Sequence, residues 1–303
     1  MKNVTLLSGS GNRPLALDIA QALSIPLTPC TLERFPDGEI RVELGEEVRD
    51  RDVYIVQPTR APVGEHLLEL MLLADACRRS GAARVTAVIP YVGYARQDRR
   101  ESAFEPVGAK VMADIVSSGS VDRLVAMDLH SRGVEGCFRM PVEHVSAVGL
   151  VAERLKPLVP RNGVVVSPDL GAVKLAEHYG RLLELPVAVV HKVRLGGADV
   201  SARGVMGEVK GRSPIVVDDM ISTAGTIVAA IEALLQAGCA RDISVAATHA
   251  LLVGPALERL RPLPIARLVA TDSVPPPVGL PLPLEKVSVA PVLADAVRRL
   301  AGR

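Results

Sequence analysis

The chain has 303 residues, nearly half of them hydrophobic, with 35 basic against 34 acidic side chains for a formal net charge of +1. That length suits two domains of ordinary size, and the balanced charge argues against a generally basic nucleic-acid or membrane surface. Aromatic residues make up 2% and tryptophan is absent, so the cores must be aliphatic and stacking platforms for single-stranded nucleic acid are not expected. Cys30, Cys77, Cys137 and Cys239 are scattered, with no C-x-x-C pair, as in a reduced interior. Met1 leads into the apolar 4–7 without a charged-then-apolar leader, and no apolar run nears the roughly 18 residues of a membrane span. A cytoplasmic protein with neither nucleic-acid nor membrane partners is expected.

In chain order, short apolar runs bounded by Gly, Pro or Asp predict strands at 53–56, 85–89, 123–127, 164–166, 186–190, 215–217, 243–246 and 267–270. Helical patterns fall between many of them, at 66–80, 106–117, 170–180 and 226–237. Alternation of this kind implies parallel sheets covered by helices on both faces, an α/β class. The halves also echo each other: RLVAMD from Arg123 returns as RLVATD from Arg267, and GAAR from Gly81 as GCAR from Gly238. Arg84 and Arg123 are 39 positions apart but Arg241 and Arg267 only 26; the difference, 13 residues, falls around 91–107. That segment carries Arg96, Arg99 and Arg100 beside Asp98 and has few packing residues, which reads as a functional loop. Domains of 1–145 and 146–303 follow.

Several constellations carry chemistry. Neither a G-x-x-x-x-G-K-[ST] loop nor a complete G-x-G-x-x-G is present, since Gly9-Ser10-Gly11-Asn12-Arg13-Pro14 lacks the last glycine. Arg34-Phe35-Pro36-Asp37-Gly38-Glu39 reads either as a plain hairpin turn or as an exposed aromatic beside two carboxylates. Asp128-Leu129-His130 and Ser167-Pro168-Asp169 each follow a strand, where α/β proteins bind ligands. An imidazole and a carboxylate at neighbouring strand ends could share a Mg²⁺ with nucleotide phosphates. Lys192 and Arg194 open a glycine-rich segment and could close over a transferring phosphoryl group. Finally IVVDDMISTAGT, from Ile215, sets Asp218 and Asp219 at a strand end before Ser222, Thr223, Ala224, Gly225 and Thr226. Paired acceptors beside a nest of N–H donors suit a sugar phosphate. The aligned segment of the first half, YIVQPT at 54–59, has lost both carboxylates.

Taken in order, SGSGNRPLALDIA, RFPDGEI, DVYIVQPT, YARQDRR, MDLHS, VVVSPDLGAVKLA, HKVR, VVDDMISTAGT, ATHALLVGPALERL and KVSVAPVLADAVRRL resemble the ribose-phosphate diphosphokinase, or phosphoribosyl pyrophosphate synthetase, family over almost the whole chain. The resemblance implies two duplicated phosphoribosyltransferase-like domains and transfer of diphosphate from MgATP to O1 of ribose 5-phosphate. It assigns Phe35, Asp37, Gly38, Glu39, Arg96 and Gln97 to ATP, the hairpin residues reaching it from a neighbouring subunit, so that at least a dimer and up to a hexamer is expected. His130 and Asp169 are matched to Mg²⁺ and Lys192 to the catalytic lysine. Arg194, Asp218, Asp219 and the 222–226 loop are matched to ribose 5-phosphate. Two departures stand out. Ser222 replaces the acidic residue found in most of the family, which keeps a hydrogen-bond donor and removes a repulsive charge. In the phosphate-activated branch, glutamines near 133 and 135 and an Asp-Asn pair near 143 and 144 line an anion site; here Gly133, Glu135, Glu143 and His144 stand there, with Arg132 and Arg139 nearby. Activity without added phosphate is therefore expected. The rival readings are a phosphoribosyltransferase, which would not require RFPDGE, YARQDRR or the metal pair, and a non-catalytic regulatory paralogue, which would be expected to lose Lys192, Arg194, His130 or Asp169.

Overall fold

Val4–Ser8 forms strand β1, and from it an order of strands and helices runs twice along the chain. The computed structural model describes residues 3–194, 201–277, 279 and 283–302, with the side chains of 192–194 and 201–203 outside that description. The first round is β1, α1 (Arg13–Leu23), β2 (Cys30–Arg34), β3 (Ile40–Leu44), β4 (Asp52–Val56), α2 (Val63–Arg79), β5 (Arg84–Ile89), α3 (Gly108–Ser118), β6 (Arg123–Met127), β7 (Val142–Val145) and α4 (Val148–Leu155). The second is β8 (Gly163–Ser167), α5 (Val173–Leu183), β9 (Val187–Arg194), β10 (Ser201–Met206), β11 (Ser213–Ile221), α6 (Gly225–Gln236), β12 (Ile243–Ala250), α7 (Ala256–Leu260), β13 (Ile265–Thr271), β14 (Leu284–Val287) and α8 (Ala290–Ala301). Element answers element, as the paired sequence echoes lead one to expect. The extra length of the first half lies between β5 and α3, at 90–107, where the second has only 251–255 between β12 and α7.

Two units result, one of Met1–Ser146 with Ser288–Arg303 and one of Ala147–Val287. The first holds a parallel sheet in the order β1-β4-β5-β6-β7, with the hairpin β2–β3 apart from it. The second holds β8-β11-β12-β13-β14, also parallel, extended by β9 parallel to β8 and by β10 antiparallel to β9. Buried strands read as continuous apolar runs because both faces are covered. In the second unit Val216 and Val245 join the core under α6 and α7, while their neighbours Ile215, Val217 and Ala246 join the core under α4 and α5. Among the described residues no helix is long and apolar enough to cross a membrane.

The last helix of each round changes partners. Helix α4 follows the first round but packs on α5, β12 and β13, and α8 follows the second but packs on α1 and β7. Its apolar face, Leu293, Ala294, Val297 and Leu300, is buried. Arg298 Nη2 donates to the Ala22 carbonyl at the end of α1, and Arg299 pairs with Glu143 of β7 at 3.0 Å. The expected division at 146–303 is thereby corrected: residues 288–303 belong with the first unit, because the amphipathic α8 buries its apolar stripe there. Leu293→Ala should cost about 2–5 kcal/mol through the cavity it leaves. Hydrogen exchange should then quicken in α1 more than in α5, and the reverse order would contradict this packing.

Candidate active site

In the second unit the chemistry gathers where the parallel strands end. Asp218 and Asp219 lie near the end of β11, which runs between β8 and β12, with Asp218 opposite Ala247. Asp218 Oδ1 accepts from Asp219 N at 2.9 Å. Burial pushes the Asp218 carboxyl up to about 8, helped by the neighbouring Asp219 carboxylate and, more weakly, by Asp169. Asp169 follows β8; its Oδ1 accepts from Gly171 N at 2.8 Å and Ala172 N at 3.2 Å, and its carbonyl accepts from Ser167 Oγ at 2.6 Å. Beyond β11 the chain turns through Ser222, Thr223 and Ala224, the last at φ 62°, and enters α6 at Gly225. A left-handed alanine is uncommon and costs free energy, as residues held at ligand sites often do. The start of α6 adds free N–H groups and the positive end of a helix dipole. Lys192 and Arg194 end β9, opposite Arg203 and Ser201 of β10. Their side chains, and the glycine-rich 195–200 beyond them, lie outside the described residues.

The first unit presents different groups at its strand ends. The 34–39 segment is a hairpin tip, with Phe35 N bonded to the Glu39 carbonyl at 2.9 Å and Gly38 N to the Phe35 carbonyl at 2.8 Å. Gly38 sits at φ 94°, and Asp37 Oδ1 accepts from Glu39 N at 3.1 Å. Phe35 is 47% exposed. The stretch is a D-G hairpin turn with Phe35 exposed beside it. After β5 the chain passes a left-handed Tyr94, φ 62°, and Arg96 and Gln97 follow it on the surface. Gln97 N bonds the Tyr94 carbonyl and Gln97 O accepts from Ala109 N of α3, at 2.9 and 3.0 Å, so the loop is tied to that helix. Asp128, at φ 37°, and the exposed His130 follow β6.

The strand end that corresponds to Asp218 and Asp219 is closed. Gln57, fully buried after β4, accepts from Gly11 N at 2.9 Å and donates to Glu69 Oε1 at 2.6 Å and to the His66 carbonyl at 3.2 Å. Glu69 Oε1 also accepts from Ser10 N at 2.5 Å. Any Cβ at Gly9 or Gly11 would come within 2.4 or 2.7 Å of Gln57 Oε1, which accounts for glycines in SGSGN. Sequence reasoning noticed the missing carboxylates but not the amide and buried glutamate that replaced them. In the 131–144 segment, Glu143 is engaged with Arg299, His144 Nε2 accepts from Leu129 N at 3.2 Å, and Arg139 pairs with Asp114 at 3.3 Å.

Among the described residues no group of three or more His, Cys, Asp or Glu side chains gathers as a metal cage. Asp169, held in one orientation by two backbone N–H groups, offers a hard carboxylate donor of the kind a divalent cation takes together with waters and ligand oxygens.

A parallel sheet whose acidic strand end runs into a short turn and a helix start is a phosphoribosyltransferase-like arrangement, present here as two such units of which the second keeps the acidic pair. Residues 4–119 match the N-terminal domain of ribose phosphate pyrophosphokinase, and residues 198–303 the phosphoribosyl synthetase-associated domain. A ribose-phosphate pyrophosphokinase of Staphylococcus saprophyticus is 40% identical, over 98% of this chain and 94% of its own. One of Caldanaerobacter subterraneus is 41% identical, over 98% and 95%. The crystal structure of phosphoribosylpyrophosphate synthetase from Mycobacterium smegmatis superposes with a TM-score of 0.92 at 35% identity, covering 99% of both chains. The chain belongs to the ribose-phosphate pyrophosphokinase family, and it is an enzyme.

The raised Asp218 carboxyl has a measurable consequence. An unfolded aspartate ionises near ~4, whereas Asp218 in the fold keeps its proton up to about 8. Between those values the folded state binds the extra proton, so stability is lost as pH rises through that window. In metal-free solution Asp218→Asn should raise the free energy of unfolding at pH 8 more than at pH 4.5, by on the order of a few kcal/mol at most. Equal shifts at both pH values would remove the carboxyl from this role.

Proposed function

We propose that the chain transfers the diphosphoryl group of ATP to O1 of ribose 5-phosphate, forming phosphoribosyl pyrophosphate and AMP. The observation that carries this reading is the acidic pair of β11 running into the 222–226 turn and α6, in a chain that aligns with family members over nearly its full length. Asp218 and Asp219 take the ribose hydroxyls, and the N–H groups of Ser222, Thr223, Ala224, Gly225 and Thr226 take the 5-phosphate. The sugar is thereby held by both ends, with O1 left free to attack.

O1 approaches the β-phosphorus in line and AMP departs from the opposite side, a reaction governed by positioning and by neutralising charge on the phosphoryl oxygens. Lys192 and Arg194 supply cations where that charge develops, with Arg194 also touching ribose 5-phosphate. Arg96 and Gln97 hold ATP, and Phe35 lies against adenine with Asp37, Gly38 and Glu39 beside it. The hairpin tip serves a neighbouring subunit, so the enzyme works as a dimer at least, within an assembly of up to six. His130 and Asp169 are the residues that would hold Mg²⁺. When bound, it neutralises charge on the nucleotide phosphates. The reduced cytoplasm suits the free thiols at Cys30, Cys77, Cys137 and Cys239.

The 131–144 segment does not favour an allosteric phosphate. Glu135 at ~4 Å would repel the anion by a few kcal/mol at an effective dielectric near 20, and Arg139 already has Asp114 as partner. Turnover without added phosphate follows, with ADP acting only against ATP.

AMP release from ATP should require both ribose 5-phosphate and a divalent metal, and equal AMP without the sugar would refute the assignment. Lys192→Ala should lower kcat by about 10²–10³-fold while leaving both KM values within a few-fold, since a cation aimed at developing charge is felt in the transition state. A change confined to KM would place Lys192 in ground-state binding instead.

A further inference from the structure

The turn that follows β11 hands three successive carbonyls to one neighbour. Ile221 O accepts from Leu252 N at 2.9 Å and Ser222 O from Val253 N at 3.1 Å, and Thr223 O accepts from Arg259 Nη1 at 3.1 Å. All three donors belong to the short stretch that leaves β12 and passes through α7. A trans peptide points its N–H away from its C=O. Tying these carbonyls to one side therefore turns the N–H groups of Ser222, Thr223 and Ala224 to the other. Ala224 completes the turn in the left-handed region, the alternation that makes an anion-binding concavity from backbone N–H groups.

The three ties differ in kind. Two are backbone bonds that continue the pairing of β11 with β12, whereas the third hangs on one exposed side chain. It is also the tie that acts on the peptide between Thr223 and Ala224, where the backbone is strained. If that peptide turned over, an acceptor oxygen would replace a donor N–H in front of the ligand, and a phosphate would be repelled. The guanidinium lies close to the first residue of α6 as well, since a Cβ at Gly225 would sit 3.7 Å from Arg259 Nη1.

We propose that Arg259 is a positioning residue for the 5-phosphate loop, holding the Thr223 carbonyl back so that the Ala224 N–H faces the anion. The inference rests on the reading of 222–226 as the ribose 5-phosphate loop. The tests are Arg259→Met and Arg259→Lys in the full chain, assayed with MgATP and ribose 5-phosphate. The methionine variant should raise KM for ribose 5-phosphate on the order of tenfold or more, the scale of one charge-assisted hydrogen bond. Its KM for ATP and its kcat at saturating sugar phosphate should stay within about twofold of the parent. The lysine variant should recover part of the loss, because it keeps a donor and the charge but not the rigid fork. In the ligand-free protein, hydrogen exchange at the amides of 223–225 should quicken in Arg259→Met while that of β12 is unchanged. A folded methionine variant with parental KM for ribose 5-phosphate, equal losses toward both substrates, or unchanged exchange in the loop would overturn the proposal. If the parent enzyme itself shows no dependence on ribose 5-phosphate, the assignment of the loop's ligand fails, and the exchange measurement alone still decides whether Arg259 orders the turn.

Discussion

Two carboxylates at the end of a buried strand are an electrostatic liability, and the edge of the second unit is organised around it. Burial of the Asp218 carboxyl and the neighbouring Asp219 carboxylate, with a weaker contribution from Asp169, raise the Asp218 pKa above that of a free aspartate. A group that donates hydrogen bonds or carries positive charge would relieve that repulsion. The helix start beside the pair has the opposite need, since its N–H groups favour an anion. A molecule with hydroxyls at one end and a phosphate at the other, as in the proposed reaction, would satisfy both.

The first unit shows what becomes of the same strand end when that liability is removed. Gln57 and Glu69 form an internal network with the Gly9–Gly11 turn and the His66 carbonyl. An amide can both donate and accept, so Gln57 bonds a donor and two acceptors around it, whereas an ionised carboxylate only accepts. The same unit also carries the long 90–107 loop and the hairpin with its exposed Phe35. One copy thus carries the adjacent carboxylates at this strand end, and the other an amide paired with its neighbours.

How much of this is legible in the sequence depends on the range of the interactions. The acidic pair and the turn after it were readable because strand, carboxylates and small residues are contiguous, and local chemistry fixes their order. The α/β class was readable from the alternation of short apolar runs with helical patterns. Strands such as β1 and β7, and helices such as α1 and α4, gave weaker signals, being short or interrupted by polar residues. Two features had no local signature. Arg259 is an ordinary exposed charge in a five-residue helix until folding brings it to Thr223, 36 positions away. The seat of α8 is set by α1, whose Ala22 meets Arg298 across 276 positions. Gln57 shows a third kind of limit: the loss of two carboxylates was visible, but the closure that replaced them needed Glu69 and Gly11 in space.

The exchange of α4 and α8 between the two rounds of the chain bears on how such a protein can be taken apart. The stretch that was copied in the gene and the body that folds are not the same object. A chain divided after Ser146 would give a first fragment without the helix that covers α1 and β7, and a second fragment with that helix but nothing in its own unit to receive it. Each piece would expose an apolar surface that the other could cover. Two fragments made separately would then have reason to find each other, as a grafted half finds its stock. The reciprocal loan also penalises the loss of either half during evolution, because a shortened descendant would have to acquire a new final helix before it could stand alone.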